Sequence, residues 1–286
     1  MAIENRYDFV MLFDVENGNP NGDPDAGNAP RIDVDTNYGF ITDVCLKRKV
    51  RNYIELTRDG EAGYNILIKA DRFLNSKFTA AYKEMGLTLG KQGKNSDDVK
   101  VARDFMCKNY FDVRAFGAVM STGDDRCGTV RGPVQLTFAK SVSPVRVNDV
   151  CITRQARTTE ERTKTGDTEM GRKSVIPYAL YRGEGFVSAA LNNKLPNGLS
   201  EEDLKVLWEA IINMFEHDHS AARGKMCMRK LYVFKHDNVL GECPAQVLFD
   251  KITVKQLSEI PPRSFKDYEI SVDKNLPAGV ELLEML

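Results

Sequence analysis

The chain has 286 residues, a net charge of −1, 42% apolar and 28% charged side chains, which suits one large domain with insertions and excludes a fibre or a wholly disordered chain. No apolar run approaches the roughly 20 residues that span a bilayer, and MAIENRYDF at the start reads as the approach to a strand rather than a signal peptide. The six cysteines fall at no CxxC spacing, so neither a zinc ribbon nor a redox pair is expected, and a cytoplasmic, reducing setting is.

Tyr7 to Val15 alternates, with Tyr7, Phe9, Met11, Phe13 and Val15 on one face. Val10 and Leu12 are apolar on the other, which predicts a strand buried on both sides. NGNPNGDPDAGNAP follows, dense in turn residues, and reads as a long ordered loop. Thr42 is a good N-cap with Asp43 in the first turn of a helix. Val44, Val50, Tyr53 and Ile54 are its expected apolar side, with Lys47, Arg48 and Arg51 on another face. Residues 57–113 are polar and irregular and read as an insertion. Val134, Leu136 and Phe138 alternate with polar residues as a strand. Residues 146–174 are charged and poor in large apolar side chains. The segment 174–191 is strand-like and broken by a GEG turn. Ser200 caps a helix over 201–217 whose apolar residues repeat at three and four. A strand over 230–236 follows, then strand-like pieces near Val247–Val254 and Tyr268–Val272.

Charge is segregated along the chain. Residues 1–43 hold nine acids and two bases, whereas Lys47, Arg48, Lys49 and Arg51 follow with no acid until Glu55. Residues 220–236 hold Arg223, Lys225, Arg229, Lys230 and Lys235 and no acid. This pattern suits a basic groove on a neutral body, and equally two complementary faces of a homo-oligomer.

Five blocks now read together: NPNGDP with PRID and TDVCLKRKVR, then FGAV, GPVQ, MGRKSVIPYALYRGEGF and EHDHSAARGKMCMRKLYVFKH. In this order they resemble the backbone subunit of type I Cascade complexes, in its I-C form, within the RAMP superfamily. The resemblance implies an α+β chain: a ferredoxin-like (RRM-like) palm spanning 1–286, a finger-like insertion at 57–113 and a thumb-like hairpin at 146–174. It implies a non-enzymatic, cytoplasmic scaffold for antiviral defence, with no cofactor. The implied partners are guide RNA, target DNA, copies of the chain in a helical filament, and the large, small and guide-processing subunits.

A scaffold for guides of any sequence holds phosphates rather than bases. Lys47, Arg48, Lys49 and Arg51 are the first candidates for that role, against the alternative of a plain solvated helix face. Arg114 and Phe116 flank a strand leading toward the palm, where an aromatic stacks on bases and an Arg on their planes; the alternative is core and surface. Arg154, Met170, Arg172 and Lys173 belong to the expected thumb, with Met170 as a wedge against guide bases. Arg131, beside GPVQ, and Arg223 complete the RNA-binding set. The run Glu216-His217-Asp218-His219 has chelating spacing, but a helix end explains it better, so no metal is expected. Asp33 and Asp35 are the residues to watch for the competing reading, an RNA endonuclease of related RAMP fold; without a nearby His they read as structural.

Overall fold

A computed structural model describes residues 1–70, 73–90, 96–154 and 169–286, with Arg154 and Glu169 as backbone only. In chain order the elements are β1 (Tyr7–Gly18), the short pair β2 (Gly22–Asp23) and β3 (Ala29–Pro30), β4 (Tyr38–Ile41) and α1 (Asp43–Thr57). There follow α2 (Leu74–Glu84), α3 (Ser96–Asn109), α4 (Phe111–Phe116), β5 (Gly117–Met120), β6 (Gly128–Arg131), β7 (Val134–Leu136), β8 (Ala139–Pro144), β9 (Asn148–Arg154) and β10 (Glu169–Val187). The chain closes with α5 (Ala189–Asn192), α6 (Glu201–Asn213), β11 (Lys225–His236), α7 (Ala245–Phe249), β12 (Ile252–Gln256), β13 (Tyr268–Val272) and β14 (Val280–Glu284).

The fold is mixed α and β around an antiparallel sheet ordered β14-β11-β1-β10-β8-β4, with β7 and β9 also paired to β10. β1 is central, and Tyr7 to Val15 are all buried, as its two apolar faces predict. Phe9, Met11 and Phe13 face a helical layer in which Val50 and Ile54 of α1 meet Leu207 and Ile211 of α6. Trp208 of α6 meets the Phe9 ring edge-on at 5.1 Å, a contact of about 1 kcal/mol beyond its buried area. Val10 and Leu12 face a second cluster built by α7, β12 and β13. Ser200 closes α6 with a full capping box, its hydroxyl bonded to the Asp203 N–H and the Asp203 carboxylate returning to the Ser200 N–H.

Three local expectations are corrected. β10 runs unbroken through Gly183 and Gly185, where a GEG turn is expected. A Cβ on Gly185 would lie 2.2 Å from the Phe9 ring, so this glycine makes room for an aromatic on the neighbouring strand. Residues 245–249 are helical rather than extended. Residues 57–113, although polar, carry α2 and α3, which build a satellite core of Phe78, Tyr82, Ala102 and Met106. That core recruits Met120 and Val130 from the β5–β6 hairpin, beyond the expected insertion.

Candidate nucleic-acid interface

Three segments converge beside the N-terminal half of α1. The loop after β1 is fixed there by Asn21, whose Oδ1 accepts from the Thr42 N–H at 3.0 Å and the Thr42 hydroxyl at 3.1 Å. Thr42 in turn accepts from the Cys45 N–H at 3.3 Å, the cap that sequence predicts. The loop 216–224 lies against both, with the Asn19 N–H donating to the Ala222 carbonyl at 2.8 Å. The base of the β9–β10 hairpin joins them through Lys173, whose Nζ donates to the Ala221 carbonyl at 2.7 Å. Two glycines permit this crossing. A Cβ on Gly18 would sit 1.9 Å from the Arg223 carbonyl oxygen, and one on Gly224, at φ +65°, would sit 2.5 Å from the Asn17 carbonyl oxygen.

Asp218 is the hub. It forms an ion pair with Lys49 of α1 and accepts from Arg223 Nε at 3.0 Å. Lys49 is buried, its ammonium 5.6 Å from the Phe215 ring centroid. Burial pulls its pKa down, and the Asp218 hydrogen bond and charge only partly offset that. The Cys45 thiol alongside is pushed up by burial, against the pull of Lys49, Arg223 and Arg48.

The candidate residues separate on this geometry. Arg48 and Arg172 are exposed, while Lys173 and Arg223 are partly so and take part in the convergence. Lys47 is half-buried, paired with Asp43 at 2.9 Å and lying over the Phe116 ring at 5.8 Å. The expected basic face of α1 is corrected: Lys49 and Arg51 point inward and Val44 points out, 63% exposed. Arg51 is held by Asp112 at 2.8 Å and by the Phe116 ring at 5.2 Å. Arg114 and Phe116 lie in buried helix α4 and do not flank a solvent-facing strand. Arg114 pairs with Asp203 at 2.6 Å and stacks near Tyr64 and Phe111. Phe116 is core, so neither it, Arg114 nor Arg51 is presented to a ligand by the protomer. Arg131 is exposed on β6, among the elements of the satellite core. Met170 is 78% exposed on the hairpin, while the Arg154 side chain and residues 155–168 lie outside the described residues.

The competing chemistries also have local partners. Asp33 Oδ1 accepts from the Asp35 N–H at 3.0 Å and the Thr36 N–H at 3.3 Å, closing its own turn. These backbone bonds hold its carboxyl below the ordinary range. Asp218, the middle of the chelate-like run, is committed to two cations, and no group of three His, Cys, Asp or Glu positioned for a metal occurs among the described residues. Sequence reasoning missed Asp218 as a clamp; its adjacency to two histidines masked it.

Residues 5–273 match the family described as "CRISPR-associated protein Cas7". A Haloferax volcanii protein of that description is 28% identical over 233 residues, 74% of this chain and 66% of the relative, so the chain spans just under two thirds of its length. A solved structure named "CRISPR RNA-guided surveillance complex, pre-nicking" aligns at TM-score 0.50 and 14% identity, over 80% of this chain and 78% of that one, a likeness of fold. With the match running through the convergence at α1 and every strand of the sheet but β14, this chain belongs to the Cas7 family of CRISPR-associated proteins.

Proposed function

We propose that the chain is the guide-RNA-binding backbone subunit of a CRISPR surveillance complex of type I-C. Copies line up along one guide in a helical filament and present it for pairing with target DNA. Base pairing reads the sequence and the protein holds the backbone. The observation that carries this reading is the convergence of Arg48, Lys173 and Arg223 around the Lys49–Asp218 pair. Three segments distant in sequence deliver cations to one place, where a ribose-phosphate chain of any sequence is held by charge.

The proposal extends to architecture. Strands β11-β1-β10-β8, with α1 and α6 covering one face, form a ferredoxin-like palm. The satellite core is the finger and the β9–β10 hairpin the thumb, its exposed Met170 wedging beside guide bases. The remaining partners are the large, small and guide-processing subunits, in the cytoplasm. The role is a scaffold's rather than an enzyme's: Asp33, on which the endonuclease reading rests, spends its carboxylate on its own turn.

The test is the nucleic acid carried by the purified protein. The scaffold reading predicts RNA of one length on a denaturing gel, and no cleavage of complementary RNA with magnesium. A ladder of unrelated lengths, or cleavage lost on Asp33→Ala, would overturn it.

A further inference from the structure

The β4–β8 edge of the sheet, apart from the α1 convergence, carries a groove. The pairing of β4 with β8 shifts register between Tyr38 and Phe40. Beside the shift, the Phe40 and Phe138 rings lie parallel within 3°, centroids 6.2 Å apart, with Phe138 56% exposed. A cleft of about 580 Å³ opens over them, lined also by Ile32, Val34 and Lys140. Lys140 sits 5.0 Å from the Tyr38 ring centroid.

The cleft continues in both directions. It shares Phe138 and Lys140 with a hollow of about 310 Å³ that reaches Arg182 and Val254. It shares Ile32 with a groove of about 820 Å³ flanked by Arg146 and Arg263. From Thr137 to Asn148 this path follows roughly 35 Å of extended chain, at about 3.3 Å per residue. Lys140, Arg146 and Arg263 form no ion pair among the described residues, whereas the groove's Glu184 is paired with Arg182 at 3.0 Å. Asp33 lines the cleft and attracts Lys140 but spends an oxygen on its own turn, and Glu259 lines the groove near Arg146 and Arg263 without an ion pair among the described residues.

An exposed aromatic backed by a second ring, beside cations that form no ion pair among the described residues, supplies the elements of a single-strand nucleic-acid site: a base stacks on the ring and phosphates follow the charges. An apolar protein segment would be served by the patch alone and makes no use of Lys140, Arg146 and Arg263, whose side chains form no ion pair among the described residues. We propose that the β4–β8 groove is a second nucleic-acid path, which takes a single strand with a base on Phe138 and phosphates on Lys140 and Arg146. It goes beyond the guide-holding role of the α1 convergence.

The experiment is photocrosslinking and affinity measurement with a 5-iodouracil-substituted single strand of about twelve nucleotides, within the usual range of site sizes. Wild-type chain is expected to crosslink at Phe138, Phe40 or Tyr38. Joint substitution Phe138→Ala and Lys140→Glu is expected to weaken binding about tenfold, at an unchanged thermal midpoint because both side chains are exposed. Arg48→Glu with Arg223→Glu tests the α1 site separately and is expected to leave the groove crosslinks in place. Their loss in that variant would make the groove part of the guide path and overturn a second one. Crosslinks only near α1, unchanged affinity in the groove variant, or loss of self-association alone would overturn it as well.

Discussion

Lys49 and Asp218 lie 169 residues apart in sequence and form an ion pair whose cationic side chain is 1% exposed. Burying an ammonium is tolerable only with its counter-charge in place. Asp218→Asn is therefore expected to destabilise the chain by about 2 kcal/mol in urea denaturation, less than a fully buried pair because Asp218 keeps some solvent. The pH dependence has a definite sign. Lys49 has a folded-state pKa below its ordinary 10.5, so the unfolded chain binds its proton more tightly and stability rises as pH climbs between the two values. Without Asp218, that rise begins at lower pH. A variant whose stability profile overlays wild type would contradict the assignment.

Arg114 and Asp203 give a dependence of the same sign, at the acid end of the scale. Burial pushes the Asp203 carboxyl up, but Arg114 and the Ser200 N–H and hydroxyl outweigh it and hold the pKa below 3.8. The pair's contribution is thus full above that value and lost as pH falls through the lowered one. Asp203→Asn is expected to cost about 3 kcal/mol at neutral pH, since it leaves a guanidinium 7% exposed without its charge partner. It also flattens the acid limb of the stability curve. Chemical denaturation at pH 7 and pH 3 reads both effects.

Gly224→Ala removes no charge yet is expected to disturb the candidate interface. Its φ of +65° and the carbonyls of Asn17 and Glu16, within 2.6 Å of an added Cβ, leave no room for a methyl group. Strain of about 1–3 kcal/mol is expected, relieved by moving the 216–224 loop. RNA affinity falls with it. Full affinity in a destabilised variant would separate the loop from binding.

Met170→Asp probes the hairpin. Met170 is 78% exposed, so the thermal midpoint is expected to stay put while guide retention drops. Unchanged retention would remove Met170 from the interface.

Local patterns were legible in the sequence, and contacts between distant segments were not. The two-faced apolar alternation of β1, the Thr42 cap and the Ser200 capping box are signals within a few residues of each other. The orientation of α1 is not local. Its charged residues suggest an outward face, but Asp112 and Asp218, 61 and 169 residues onward, wait inside for Arg51 and Lys49. The same holds for Arg114, whose partner Asp203 is 89 residues away. Gly185 reads as a turn until Phe9 is seen across from it. The groove at β8 is not local either, because Phe138, between β7 and β8, meets Phe40 of β4 only in the fold.

The central claim is that exposed cations beside α1 hold an RNA backbone by charge. The direct measurement is the affinity of the purified chain for an oligoribonucleotide across a salt series. Wild type is expected to give a straight decline of log affinity with log salt, the same for unrelated sequences. Arg48→Glu and Arg223→Glu should each make that slope shallower by about 1. Affinity insensitive to salt, or a slope unaltered in both variants, would contradict the account.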